Sequence, residues 1–152
     1  MAILNESMQQ LVRAQRLGFV ATVCEDGTPN LSPRGTLAVW DDQHLVFADL
    51  RSPGTTANLR VNPAVEVNVV DWLSRKGYRF KGKARVLEEG PEFERGLDFY
   101  ANWGLSDAPG RIRAVVLIQV EKAKAVLSPA YDRGVSEPQI RRQWRQYYEG
   151  LL

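Results

Sequence analysis

Ser52-Pro53-Gly54-Thr55-Thr56 sets three hydroxyls and a glycine beside Arg51, where a polar turn runs into a short helical segment, Ala57-Asn58-Leu59-Arg60-Val61. The first N–H groups of a helix have no intrahelical acceptor and the helix dipole adds positive potential, so the pattern suits a bound phosphate. Helix capping uses the same residue types, and the local pattern supports the two readings equally. Arg34, within Ser32-Pro33-Arg34-Gly35-Thr36, is a second candidate. A guanidinium next to a glycine that lets a flat group approach the backbone suits a phosphorylated aromatic ligand. Taken alone, these residues favour a strand bulge with a solvated arginine. Arg79, Lys81, Lys83 and Arg85 form a basic stripe behind Arg75-Lys76-Gly77. Such a stripe faces a ligand, an acidic partner or, most commonly, solvent. Cys24 lies in an apolar stretch and reads as packing, while Trp40, Trp72, Trp103 and Trp144 read as core or interface residues.

The elements that must hold these residues are mostly strands. Leu4, Met8, Leu11 and Val12 recur at helical spacing behind the capping residue Asn5, predicting an N-terminal helix within 1–16 that stops before Gly18. Phe19 to Cys24 reads as a first strand, Asp26-Gly27 as a hairpin turn, and Asn30 to Trp40 as a second strand. Asp41-Asp42 turns the chain into a third, Leu45-Val46-Phe47, so a three-strand meander is expected. Val65 to Val70 and the strictly alternating Tyr78 to Val86 supply the fourth and fifth strands. A helix is expected over Pro91 to Trp103, followed by a sixth strand, Ala114 to Val120, apolar enough for burial on both faces. A polar helix within 135–150 closes the chain. The expected fold is mainly β with peripheral helices: a six-stranded antiparallel split β-barrel in one domain, 1–152.

Composition narrows the chemistry. A chain of 152 residues, 44% of them hydrophobic, builds one core and is too short for two ordinary domains. With one cysteine and one histidine, His44, it has no internal disulfide, no Cys-rich or paired-His metal site and few routes to a Ser/His/Asp hydrolase. No metal is expected, and any chemistry points to a borrowed cofactor. A net charge of +2 argues against nucleic acid as a partner, although a single phosphate remains a fitting ligand. The sequence contains no run of the roughly 18 apolar residues a bilayer requires, and Met1 to Gln10 lacks a basic start followed by an apolar stretch. The expectation is a cytoplasmic protein without membrane contact.

Between Leu17 and Leu127 the order and spacing of segments resemble the pyridoxamine 5'-phosphate oxidase-like family of FMN-binding split β-barrels. The resemblance is carried by Phe19-Val20-Ala21-Thr22-Val23 with Asp26-Gly27-Thr28-Pro29, by Ser32 to Trp40 and by Leu45-Val46-Phe47. It continues through Ser52 to Leu59, Asn62-Pro63-Ala64-Val65 and Tyr78-Arg79-Phe80-Lys81-Gly82-Lys83-Ala84. It implies FMN as cofactor, with Arg34, Gly35 and Thr36 along the flavin and Ser52, Thr55 and Thr56 around its phosphate; Arg51, beside that turn, is counted with them from its position. It also implies a homodimer with the flavin at the subunit interface, reached by Lys76, Gly77 and Arg79 of the other chain. A deazaflavin coenzyme or haem is the alternative within the superfamily. The implied activity is that of an oxidoreductase, with a nicotinamide electron donor, or of a non-catalytic flavin carrier; no catalytic residue is assigned. Pro53-Gly54-Thr55 stands where enzymes oxidising pyridoxamine phosphate carry a Ser-Arg-Lys-like turn, and Ala38 or Val39 where they carry a basic residue. Their C-terminal substrate segment has no counterpart here, which argues against that substrate. Tyr131-Asp132-Arg133-Gly134 and a helix bearing Arg141, Arg142 and Arg145 read either as a lid or as a dimer-stabilising tail.

Overall fold

A computed structural model describes residues 2–51, 53–104 and 110–152. Helix α1 (Glu6–Gln15) begins where the Asn5 side chain accepts the Met8 N–H at 2.9 Å. It ends at Arg16, which takes a left-handed φ of 51°. Gly18 opens strand β1 (Gly18–Val23), where a Cβ would come within 2.3 Å of Leu37. The expected hairpin forms: Gly27 takes φ 86°, and the Asp26 carboxylate accepts both the N–H and the hydroxyl of Thr28. Strand β2 (Pro29–Arg34) returns antiparallel to β1.

Here the expected meander fails. The second strand does not run on to Trp40; it ends at Arg34, and Ala38–Val39 form a separate strand, β3. Strand β3 pairs with β4 (His44–Asp49), while β2 pairs with β1. This division adds a seventh strand to the expected six. With β5 (Ala64–Asp71), β6 (Lys76–Leu87) and β7 (Ala114–Leu127) the sheet runs β2-β1-β5-β6-β7-β4-β3, antiparallel throughout. Its two edge strands are therefore consecutive in the chain, joined only by Gly35-Thr36-Leu37. Four residue steps span at most about 14 Å, whereas seven flat strands would hold their edges about 29 Å apart. The sheet must curl until its edges meet, and the result is a split barrel.

Val20, Leu45, Phe47, Val67, Phe80 and Ile118 fill the inside of the curl, joined by Leu4 and Val12 near and on α1 and by Leu59 of α2 (Pro53–Val61). A second cluster lies on the other side of β4 and β7. There Val46, Ala48, Val115 and Leu117 pack against Tyr100 and Trp103, at the end of α3 (Pro91–Asn102). Gly96 permits this approach, since a Cβ there would stand 2.8 Å from Val115. The first half of β7 is thus buried on both faces, as its apolar run requires. The strand continues seven residues past the expected end at Val120, and this second half is largely exposed. A short 3-10 turn (Pro129–Arg133) leads to α4 (Glu137–Glu149), which starts on a capping box between Ser136 and Gln139. Among the described residues no helix is long and apolar enough to cross a membrane.

Candidate functional site

Strand alternation aims Ser32 and Arg34 to the same side of β2, and Ser32 stands opposite Val20, a fully buried residue. Arg34 is only 7% exposed, and its Cζ lies 5.0 Å from the centre of the Phe47 ring. Burial lowers its pKa from the ordinary arginine value, and the carboxylate of Asp49, itself buried at the end of β4, opposes that shift. Arg34 Nε and Nη2 are buried without a hydrogen-bond partner, as is Ser32 Oγ. A guanidinium with two unanswered donors inside a fold is costly, because a buried donor without an acceptor forfeits its hydration. Such an arrangement fits an anionic ligand that supplies the missing acceptors. The solvated arginine favoured by the local sequence is not what the fold builds.

Next to Arg34 the chain crosses between sheet edges, and Thr36 secures the crossing. Its hydroxyl donates to the Ala48 carbonyl at 3.1 Å and accepts the Ala48 N–H at 3.0 Å. Its own carbonyl accepts the Tyr100 hydroxyl at 2.8 Å, and burial pushes the Tyr100 phenol well above its ordinary pKa, keeping it a donor. The Thr36 side chain is thus engaged within the protein. A Cβ at Gly35 would meet nothing within 4 Å, so the chain's own packing does not require that glycine, and the exposed backbone is open to a flat group. Strand β4 then delivers Asp49, the exposed Arg51 and the first turn of α2. Thr55 and Thr56 are buried there, with the Thr56 hydroxyl donating to Pro53 O at 3.2 Å. Ser52 lies outside the described residues.

Lys76 and Gly77 sit elsewhere, at the β5–β6 hairpin under α4. Lys76 Nζ pairs with Glu137 at 2.9 Å, and Arg141 reaches Asp71 at 2.7 Å and Glu137 at 3.0 Å. Arg75 stacks on Trp144 with its Cζ 3.5 Å from the ring centre and donates to the Tyr148 hydroxyl. Tyr131 donates to Ser74 O at 2.6 Å. These contacts latch the C-terminal segment to the hairpin and, with α1, frame a pocket of about 300 Å³ lined by Lys76, Gly77, Tyr78, Glu137 and Arg141. A Cβ on Gly77 would fall 2.2 Å from Val69 O, so that glycine is demanded by the neighbouring strand. Arg79 lies on the outer face, 4.0 Å from Glu66. The predicted residues therefore fall on separate elements within one chain: Arg34, Gly35 and Thr36 at the crossing, which β4 contacts through Ala48 and Asp49, Arg51, Thr55 and Thr56 between β4 and the first turn of α2, and Lys76, Gly77 and Arg79 along β6. Ser32 and Asp49 were not among the predicted site residues. Only the two-residue spacing from Arg34 could have pointed to Ser32, and nothing local to Asp49.

The family model of pyridoxamine 5'-phosphate oxidase matches residues 4–127, the whole barrel with α1, α2 and α3. The chain belongs to the pyridoxamine 5'-phosphate oxidase family. Among solved structures, HupZ of Group A Streptococcus is 29% identical, with a TM-score of 0.73 over 83% of this chain and 96% of that one. An FMN-binding protein from Syntrophomonas wolfei shares the fold at 20% identity and TM-score 0.67, covering 81% of this chain and 86% of its own. An F420 reductase does so at 22% and 0.61, covering 80% and 98%. No curated protein sequence matches the chain. The family match stops at Leu127, so the 3-10 turn and α4 lie beyond it.

Proposed function

We propose that this chain binds FMN as a homodimer, with the flavin between subunits, and works as a flavin-dependent oxidoreductase. The observation that carries the reading is Arg34: a buried guanidinium with two unpartnered donors, within electrostatic reach of Asp49 on the strand that leads into α2, fits a phosphate monoester. Arg34 would hold the phosphate with the first N–H groups of α2 and the Thr55 hydroxyl. The open backbone at Gly35 would lie along the ring. Lys76, Gly77 and Arg79, remote from that corner in their own chain, would complete the site of the other subunit, which is why the dimer belongs to the proposal. When bound, FMN supplies hydride or electron transfer, and the protein's part is to hold and orient it and to shield it from water.

The fold carries FMN in one neighbour and serves an F420 reductase in another, so deazaflavin is the competing cofactor. The visible spectrum of freshly purified protein, followed by titration of the stripped protein with FMN, tests the reading. A flavin spectrum with one FMN per chain and a particle of twice 17.1 kDa by light scattering is the expected result. Colourless protein that leaves FMN fluorescence unquenched would overturn it, and a deazaflavin spectrum would transfer the site to that cofactor.

A further inference from the structure

The outer face of the sheet carries a charge pattern of which only Arg79 enters the flavin reading. In the β6–β7 ladder Arg79 stands opposite Lys124 and Lys81 opposite Lys122, so two outward-facing pairs set cation against cation. Like charges directly opposed across a ladder weaken the pairing. Nothing in the packing compels this choice, because all four side chains are exposed. Glu66 of β5 stands at the edge of the group, 4.0 Å from Arg79 and 3.9 Å from Lys81, and Glu121 is the extra residue of the β-bulge beside Lys81 and Gly82. One carboxylate at such distances leaves most of the charge unanswered. Arg79, Lys81, Lys122, Lys124 and Glu66 line a surface hollow of about 320 Å³.

Neighbouring strands lie about 4.8 Å apart and alternate residues about 6.8 Å apart, so the four cations form a grid of roughly 5 by 7 Å at their bases. From bases so spaced the long, flexible side chains can converge over the hollow on two linked phosphate groups. We propose that this grid is a binding site for a small ligand carrying a diphosphate group, one phosphate held by Arg79 and Lys124 and the other by Lys81 and Lys122. A long polyanion is a poorer match, because the basic surface is short. Glu66 bounds it on β5, and along β6 it extends only to the exposed Lys83, because Arg85 is already paired with Glu92 at 2.8 Å. Lys81, Lys122 and Lys124 have no part in the flavin reading, whereas Arg79 is shared with it, so the test variants are placed on Lys122 and Lys124.

The test uses the full-length protein and calorimetric titration with inorganic pyrophosphate, with orthophosphate and sulfate at matched ionic strength as comparisons. Saturable binding of one pyrophosphate per chain, about tenfold or more tighter than orthophosphate, is expected. The double variant Lys122→Gln/Lys124→Gln should weaken pyrophosphate about tenfold or more while leaving the visible spectrum and FMN titration unchanged. Without any anion, Lys122→Glu should raise Tm by relieving the facing charges. ADP titrated against pyrophosphate separates a nucleotide from the free anion, the tighter binder naming the source. Equal, weak responses to pyrophosphate and sulfate, unchanged affinity in the double variant, or tighter binding of a short single-stranded oligonucleotide would each overturn the proposal.

Discussion

Replacing Arg34 by methionine separates a ligand-binding arginine from a structural one, because the two roles predict opposite patterns of stability. In the ligand-free protein Arg34 keeps two buried donors without acceptors, each costing about 1–3 kcal/mol. Methionine removes that cost and retains the contact with Phe47; against this, Asp49 loses a neighbouring cation. These opposing terms should leave ligand-free stability within about 2 kcal/mol of the parent. Ligand binding should change far more, since a charge-assisted hydrogen bond contributes about 1.5–3 kcal/mol and its loss raises Kd by about tenfold to a hundredfold. At an FMN concentration one hundred times the parent's Kd, binding stabilises the parent by about 2.7 kcal/mol. A tenfold weaker variant would retain about 1.4 kcal/mol at that same concentration. For a chain of this size the thermal shift should fall from about 5–11 °C to about 3–6 °C. Differential scanning fluorimetry with and without FMN, backed by fluorescence titration, reads both quantities. If Arg34→Met lowers ligand-free stability by more than about 3 kcal/mol while FMN affinity is unchanged, the arginine is a structural group and the argument from its unpartnered donors is wrong.

Two glycines predicted to serve the same ligand should respond differently. Gly77→Ala drives a Cβ against Val69 O and should cost more than about 2 kcal/mol in chemical denaturation, whereas Gly35→Ala meets open space and should stay within about 0.5 kcal/mol of the parent while weakening FMN. Equal denaturation midpoints for the two variants would contradict this. Tyr100→Phe removes the donor to Thr36 O inside the α3 interface and should destabilise by about 1–2 kcal/mol; an unchanged midpoint would show that the crossing does not depend on that bond. The latch of α4 should loosen in acid. Lys76 and then Arg141 hold the Glu137 carboxyl below its ordinary pKa; at Asp71 burial pushes upward but is outweighed by N–H groups of Leu73 and Ser74 and by Arg141. Groups whose folded pKa is depressed stabilise fully above the unfolded value of about 4 and lose that contribution as pH falls through the lower folded value. Hydrogen-exchange protection across 137–149, taken relative to the intrinsic rate at each pH, should therefore fall as the pH drops below about 4, before that of the barrel core; protection lost from both together would refute a separable latch.

What could be read without the structure was local. Asn5 and Ser136 cap helices because their side chains reach backbone N–H groups three residues on. Asp26-Gly27 turns because Gly27 accepts a positive φ, and the alternation of Tyr78, Phe80, Gly82 and Ala84 with basic residues marks a strand with one inner face. The ends of that scheme failed where the cause was distant. Nothing in Asn30 to Trp40 distinguishes one long strand from two short ones, because either is extended and each pairs with what its neighbours leave free. The break at Gly35-Thr36-Leu37 is settled by Ala48 and Tyr100, which hold Thr36 from residues 12 and 64 positions away. The same non-local event decides the character of Arg34. Strand period alone places Ser32 and Arg34 on one face, but whether that face meets water or the barrel interior depends on how a seven-stranded sheet closes. Once the edges meet, a residue type that ordinarily seeks solvent is enclosed, and its unanswered donors exist only because closure removed the water that would have satisfied them.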